Sequence, residues 1–341
     1  MHGLKRFLVT GGAGFIGSSF IRYGLNHIPY CEKIINLDLL TYAADLRNLV
    51  SCETDPRYVF VHGDIRDEVL VEKLCVEYEV DAIVHFAAES HVDRSILGPR
   101  AFYETNVSGT MALLEVVRRQ PHIHFHQIST DEVYGALQPN EKAFSEESPY
   151  RPNSPYAASK AAADHFVRAY SHTYGLSTTI SHCTNNYGPC QHVEKFIPRM
   201  IAGCYHKKSL PIYGEGANIR DWIFVDDHSE AVWTVLERGK KGQVYAIGGE
   251  CERKNIDLLH LLIREFAIRN NLPSPTDVSR LHSLIAFVSD RPGHDFRYAV
   301  DCSKTKQLLG WRPLHDLSSG LSKTIIWYLE HPERLQISCL D

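Results

Sequence analysis

The chain has 341 residues, 44% hydrophobic and 23% charged, with a formal net charge of −5. That length suits one large domain with a smaller appended lobe. The acidic balance argues against a nucleic-acid partner, whose phosphates call for a basic surface, while leaving room for a local basic pocket around a small phosphorylated ligand. Nine cysteines, at 31, 52, 75, 183, 190, 204, 251, 302 and 339, form no C-x-x-C pair, so neither a disulfide framework nor a zinc knuckle is indicated, and scattered thiols suit a reducing cytosol. No apolar run approaches the roughly 18 residues that cross a bilayer, and Phe7-Leu8-Val9 leaves no room ahead of it for a signal peptide. A soluble cytoplasmic protein with no membrane partner is expected.

Strand-like runs alternate with helix-period segments through the first half, the sign of βαβ units and a parallel sheet. The first strand is expected at 6–10 and the first helix at 15–27. Between them, Gly11-Gly12-Ala13-Gly14-Phe15-Ile16-Gly17 satisfies G-x-G-x-x-G at Gly12, Gly14 and Gly17, and G-x-x-G-x-x-G at Gly11, Gly14 and Gly17. Glycines at a strand–helix junction permit a tight turn and let a pyrophosphate approach the helix N-terminus. The second strand, 34–38, ends on Asp38, 21 residues beyond Gly17. A carboxylate there accepts both ribose hydroxyls and repels a 2′-phosphate, favouring NAD over NADP. A third strand at 58–62 leads to Asp64, placed to meet the adenine amine. A helix at 67–78 and a strand at 82–87 follow, and Ala87-Ala88 let the backbone pass close to the cofactor.

A single long helix is expected over 99–119, then a strand at 123–129 closing on Ser129-Thr130-Asp131-Glu132-Val133-Tyr134-Gly135. Ligands in open α/β folds bind outside the carboxyl ends of strands, where Asp131 and Glu132 fall. A solvated acidic turn is the commonest fate of such a pair. Here two hydroxyl residues precede it, and Tyr156 and Lys160 follow on one face of a helix that begins at Pro155. An ammonium beside a phenol lowers its pKa and favours the phenolate, a base for a hydroxyl proton. Two adjacent carboxyls with pKa values pushed apart give one proton donor and one acceptor, as an elimination requires.

A further strand is expected at 178–183. Beyond about residue 190, prolines punctuate shorter elements, and Leu272 to Arg280 is expected to be the most flexible stretch. The pattern implies an α/β fold, a Rossmann-type doubly wound parallel sheet over 1–185 with a smaller C-terminal lobe over 186–341, some of whose elements return to the main domain. His122, His124 and His126 alternate as on one strand face. With no carboxylate or cysteine completing a set, they read as structural, and no metal site is expected.

The blocks VTGGAGFIG (9–17), NLDLLTYA (36–43), HFAAESHVDRS (85–95), ISTDEVYG (128–135), SPYAASKAAAD (154–164), NNYGP (185–189), EKFIPRMI (194–201), PIYGEGANIRDWIFVDDH (211–228) and DRPGHDFRYAVD (290–301) run in order along nearly the whole chain. In them the chain resembles the extended short-chain dehydrogenase/reductases, and in TDEVYG, AAESHVD and RPGHD specifically the nucleotide-sugar 4,6-dehydratases. The resemblance implies a homodimeric lyase that holds NAD and acts on a nucleotide sugar, dTDP-glucose, giving the 4-keto-6-deoxy sugar of deoxysugar (rhamnose) biosynthesis. Tyr156, aided by Thr130 and Lys160, takes the C4 hydroxyl proton. Glu132 removes the C5 hydrogen and Asp131 protonates the departing C6 hydroxyl.

By the same resemblance, cofactor contacts fall on Gly11, Gly14, Phe15, Ile16, Gly17, Asp38, Thr41, Asp64, Ile65, Ala87, Ala88, Thr105, Tyr156, Lys160 and Asn186. Substrate contacts fall on Ser90, Thr130, Asn185, Lys195, Phe196, Pro211, Tyr213, Arg220, Asn255, Arg291 and His294. Of these, Lys195, Arg220 and Arg291 can neutralise a diphosphate, and Tyr213 offers a face for a base to stack on. The C-terminal lobe becomes mainly the nucleotide-sugar lobe. Phe196, Ala44 and the segment Cys190-Gln191-His192-Val193 depart from the family pattern, as does the short insert between Glu132 and Tyr156. The competing readings are a UDP-glucose 4,6-dehydratase, a 4-epimerase or decarboxylase, which generally lacks an acid at 131, and a non-catalytic NAD sensor, which tends to lose the Tyr-Lys pair.

Overall fold

The computed structural model describes residues 3–272, 274–290 and 292–336. Seven strands form the main sheet: β1 (Arg6–Thr10), β2 (Lys33–Asp38), β3 (Tyr58–His62), β4 (Ala82–His85), β5 (His124–Thr130), β6 (Thr178–Cys183) and, from the C-terminal half, β10 (Gln243–Ile247). Their order is β10-β6-β5-β4-β1-β2-β3, and every neighbouring pair is parallel. Near-continuous apolar runs such as Phe7-Leu8-Val9 fit strands covered on both faces. The chain leaves β1 in one direction and β4 in the other, so a crevice opens at their carboxyl ends, the usual ligand position in doubly wound sheets. This is the α/β architecture expected from the sequence.

Twelve α-helices accompany these strands among the described residues. Those of the first half are α1 (Phe15–His27), α2 (Glu68–Glu77), α3 (Val92–Leu97), α4 (Pro99–Phe102), α5 (Thr110–Arg119) and α6 (Pro155–Tyr174). The second half adds α7 (Phe196–His206), α8 (Val225–Arg238), α9 (Asn255–Arg269), α10 (Pro275–His282), α11 (Ser303–Leu309) and α12 (Leu317–Glu330). One face of the sheet packs under α1 and α8, where the Phe20 and Trp233 rings stack with centroids 4.5 Å apart. The other face is covered by α2, α5 and α6 through Leu74, Leu113, Val116 and Val167. A separate apolar cluster, with Ile201, Leu259, Phe266, Leu321 and Ile325, joins α7, α9 and α12. Beside it lie a three-stranded sheet, β11 (Glu252–Lys254), β9 (Ile219–Phe224) and β7 (Asn185–Tyr187), and the parallel pair β8 (Leu210–Tyr213) and β12 (Ile285–Val288).

Three local expectations are corrected. The helix over 99–119 is interrupted by a π-helical turn at Tyr103–Gly109. That wide turn aims Asn106 at the loop after β4, where its amide accepts from Glu89 N at 2.9 Å and donates to Glu89 O at 3.0 Å and Ser159 Oγ at 2.8 Å. Leu272 to Arg280 is largely ordered by α10, whose Ser274 cap accepts from Asp277 N; Pro273 lies outside the described residues. His122 precedes β5 and is exposed, so it does not share a face with the buried His124 and His126. Those two imidazoles are bonded to the hydroxyls of Ser177, Thr179 and Ser181 across the β5–β6 pair.

Candidate active site

A cleft of ≈ 350 Å³ opens along the carboxyl ends of β1, β2, β4 and β5. Gly11, Gly14, Phe15, Ile16 and Gly17 form its floor, with Asp38, Thr41, Asp64, Ile65, Ala87, Ala88, Thr105 and Asn186 around them. The start of α1 has neither a side-chain cap nor an acidic residue in its first turn. Its free N–H groups and positive dipole end therefore face the cleft, as a pyrophosphate requires. A Cβ on Gly14 would meet only Gly11 O, at 3.3 Å, and would otherwise stand in open space. The buried Asn186 Oδ1 also has no hydrogen-bond partner among the described residues. An uncapped helix start and an unsatisfied amide oxygen in one cleft fit a dinucleotide.

Asp38 is anchored by two backbone donors. Oδ2 accepts from Ala13 N at 2.9 Å and Oδ1 from Leu40 N at 2.8 Å, so the carboxylate ties the glycine loop to the end of β2. Each oxygen keeps a lone pair for a ribose hydroxyl. Burial pushes its pKa up, opposed by those two backbone donors. Asp64 lines the cleft with its carboxylate paired to Arg66, Nη2 to Oδ2 at 2.6 Å. A Cβ on Gly17 would lie 2.4 Å from the backbone oxygen of Gly11, which cannot yield without opening the turn. Gly17→Val is therefore expected to weaken NAD binding by about 10- to 100-fold, since each charge-assisted hydrogen bond lost from the loop is worth about 1.5–3 kcal/mol. Calorimetric titration of the apoprotein checks this.

The cleft's second wall is the end of β5 and the start of α6. Asp131 and Glu132 open a 3-10 turn capped by Thr130, whose Oγ1 accepts from Glu132 N at 3.2 Å and donates to Asp131 Oδ1 at 3.3 Å. Asp131 is 2% exposed, and its Oδ2 has no hydrogen-bond partner among the described residues. Burial, then the charges of Glu132 and Asp221, raise its pKa well above the usual carboxylate range, with Arg220 opposing. Both influences favour the neutral, protonated form of Asp131. The solvated acidic turn is ruled out for this residue.

Ser154 caps α6 by accepting from Ala157 N at 3.1 Å, and Pro155 fills the first turn. That start brings Tyr156 and Lys160 to the same cleft as Thr130, Asp131 and Glu132. The phenol hydrogen-bonds Thr130. Lys160 is buried and donates from Nζ to Ile128 O at 2.6 Å. The expected lowering of the Tyr156 pKa by Lys160 is not found in the chain alone. Burial and the charge of Glu132 raise it well above the usual value. A second positive charge near the phenol is needed to reverse that balance, and a cationic nicotinamide in the cleft carries one.

Of the substrate positions, Ser90, Thr130, Asn185 and Lys195 line the cleft. Phe196, Pro211, Tyr213, Arg220, Asn255 and His294 lie in the lobe beyond its lining, and Arg291 lies outside the described residues. Arg220 is buried, donates from Nη2 to Asp295 O at 2.9 Å, and sits 4.3 Å over the Tyr298 ring. Tyr213 donates to Asp93 at 3.4 Å, and its ring meets the His294 ring edge-on.

Two features escaped the sequence reading. The buried Tyr298 feels the charges of both Glu132 and Arg220. The other is Glu194, which accepts from Tyr42 at 3.1 Å and has His91, Arg94, His192 and Lys195 within 3.9 Å. It ties together three loops at the cleft mouth. The departing segment Cys190-Gln191-His192-Val193 runs directly into it, which was the available signal.

The family described as GDP-mannose 4,6 dehydratase matches residues 8–324. A dTDP-glucose 4,6-dehydratase of Haemophilus influenzae is 48% identical over 336 residues, 96% of this chain and 98% of that one. Another from Escherichia coli is 47% identical over 347 residues, covering 96% and 94%. Among solved structures, the dTDP-glucose 4,6-dehydratase of Streptomyces venezuelae, with NAD bound, superposes with a TM-score of 0.89 at 45% identity, covering 97% of this chain and all of that one (100%). A UDP-glucose 4-epimerase of Thermotoga maritima has a TM-score of 0.84 at 25% identity, covering 96% and 99%. The chain belongs to the GDP-mannose 4,6 dehydratase family of extended short-chain dehydrogenase/reductases.

Proposed function

We propose that this protein is an NAD-dependent dTDP-glucose 4,6-dehydratase, converting dTDP-glucose to dTDP-4-keto-6-deoxyglucose and water. The observation that carries the reading is the buried acid Asp131 beside Glu132, in one cleft with Tyr156 and Lys160. The chemistry a bound NAD supplies is temporary storage of two electrons, taken at C4 and returned at C6. Asp38 and the α1 start hold it, and Lys160 reaches its ribose.

Tyr156, hydrogen-bonded to Thr130, takes the C4 hydroxyl proton. The C4 ketone so formed acidifies C5–H, which Glu132 removes. Asp131, kept protonated by burial, gives its proton to the C6 hydroxyl as water leaves. Positioned acids and bases each contribute about 10²- to 10⁴-fold. Ser90, Asn185 and Lys195 hold the sugar diphosphate at the cleft mouth. The lobe formed mainly by 186–341 takes the nucleotide, with Phe196, Pro211, Tyr213, Arg220, Asn255, Arg291 and His294 as its contacts. Those contacts rest on motif register. Relatives at 45–48% identity carry the thymidine-nucleotide name, which favours this substrate over UDP-glucose.

The test compares dTDP-glucose with UDP-glucose in D₂O, without added reductant. The expected product from dTDP-glucose is a 4-keto-6-deoxy sugar labelled at C5. A C4 epimer, or unchanged sugar with folded protein, would sink the reading.

We also propose a cytoplasmic homodimer paired through 99–119 and α6. Exposed Leu97 and Tyr103 near that helical pair and eight free cysteines among the described residues support it, as does the lack there of any helix long and apolar enough to cross a membrane. Light scattering at a single-chain mass would exclude the dimer.

A further inference from the structure

Lys160 is buried, and among the described residues its ammonium donates to a neutral carbonyl, Ile128 O. A lysine so placed loses its proton unless a counter-charge compensates the lost hydration. Four residues on, one turn along α6 and on the same face, stands Asp164, 1% exposed. Nothing in the proposed reaction uses it.

One of its oxygens is engaged by three neighbours and the other by none of the described residues. Oδ2 accepts from Ser129 Oγ at 2.6 Å and from the Tyr150 hydroxyl at 3.3 Å, and faces His182 Nε2 at 3.1 Å. Oδ1 has no hydrogen-bond partner among the described residues. A carboxylate only accepts, so His182 carries its proton on Nε2, and Nδ1 accepts from the Tyr134 hydroxyl at 2.6 Å. Tyr150 also lies 3.0 Å from Nε2. The other titratable groups around the pair are Cys183 from β6, His85 from β4, Asp131 and Tyr134 from the turn after β5, and Tyr156 and Arg168 from α6. His85 is held neutral by burial and Cys183 as its thiol, so neither supplies a negative charge.

The geometry points to Asp164 as the buried counter-charge that keeps Lys160 an ammonium, with Ser129, Tyr150 and His182 as the residues that hold its side chain in place. Asp164 touches neither substrate nor cofactor; it is a positioning residue that acts through Lys160. Burial depresses the Lys160 pKa, and the charge of Asp164 is the first force opposing that. With the ammonium retained, its charge adds to that of a bound nicotinamide in favouring the Tyr156 phenolate; with a neutral amine that contribution is lost.

The inference rests on Tyr156 as the base of the proposed dehydratase. It is tested by the pH dependence of single-turnover oxidation of dTDP-glucose by the NAD-loaded protein. Asp164→Asn keeps the shape and removes the charge. It is expected to move the acid limb about one to two pH units higher, as loss of a buried charge one helical turn away implies, with the rate recovering in alkali. Asp164→Glu is expected to bring the limb back.

A rate lowered equally at every pH in Asp164→Asn would mean a packing role and overturn the proposal. Should that variant fail to fold, His182→Gln decides. Losing the imidazole donor raises the cost of the Asp164 charge, so a smaller shift in the same direction is expected, and an unmoved limb overturns the idea. A wild-type protein inert on dTDP-glucose would instead sink the dehydratase reading itself.

Discussion

Asp131→Asn is expected to stall the reaction between its first and second steps. The asparagine keeps the volume and the contact with Thr130 but has no acidic proton to give the leaving C6 hydroxyl. Removal of a positioned general acid costs about 10²- to 10⁴-fold in the step it serves. In the proposed mechanism the first oxidation uses Tyr156, Thr130 and Lys160, which the substitution leaves in place. Mixing the NAD-loaded variant with dTDP-glucose should therefore build up NADH absorbance that decays slowly, where the wild type shows little. Glu132→Gln should stall at the same point, with the additional loss of deuterium exchange at C5. If oxidation and water loss fall together in Asp131→Asn, Asp131 is not the dedicated acid.

Mild acid is expected to destabilise the fold steeply. His85, His124 and His228 are buried with pKa values lowered to about 3, and His126 is lowered well below its ordinary value. Burial is the first cause in each. The unfolded chain takes up these protons near pH 6.5 while the folded chain refuses them, so the stability is complete above pH 6.5 and is lost as pH falls toward 3. Each such histidine is worth about 1.4 kcal/mol per pH unit, and four together reach about 5–6 kcal/mol per unit, against a total stability of about 5–15 kcal/mol.

Asp38, Asp131 and Asp221 work the other way, because their raised pKa values let the folded chain take up protons first. They offset part of the loss. Urea midpoints between pH 7.5 and 5.5 should fall with a slope of more than one proton bound on unfolding. His228 is the sharpest probe, since neither ring nitrogen has a hydrogen-bond partner among the described residues. His228→Leu should remove about one proton from that slope and raise stability at neutral pH, because an orphaned buried polar group costs about 1–3 kcal/mol. An unchanged slope would refute the account.

The nucleotide half was legible from residue order because its signals are local. A glycine turn must follow a strand and open a helix, and Asp38 must end the next strand for its carboxylate to meet that turn. Tyr156 and Lys160 share a helical face by spacing alone. The π turn at 103–109 was not legible, since the weak helix formers from Thr105 to Gly109 lower helix propensity without specifying a wide turn, and only the pull of Asn106 on the loop at Glu89 distinguishes it. The order given to 274–280 by α10 was hidden behind a proline- and serine-rich composition that equally suits a capped helix start.

By itself, the sequence determined the parallel sheet, the place of the glycine turn and the helical face shared by Tyr156 and Lys160, because each follows from periodicity or fixed spacing along one segment. Tertiary structure alone decided the electrostatics. Burial at the carboxyl end of β5 raised the pKa values of Asp131 and of the Tyr156 phenol, and residues 129, 150 and 182, far apart in the chain, converged on Asp164. Desolvation and charge proximity depend on distance through space, which residue order does not encode.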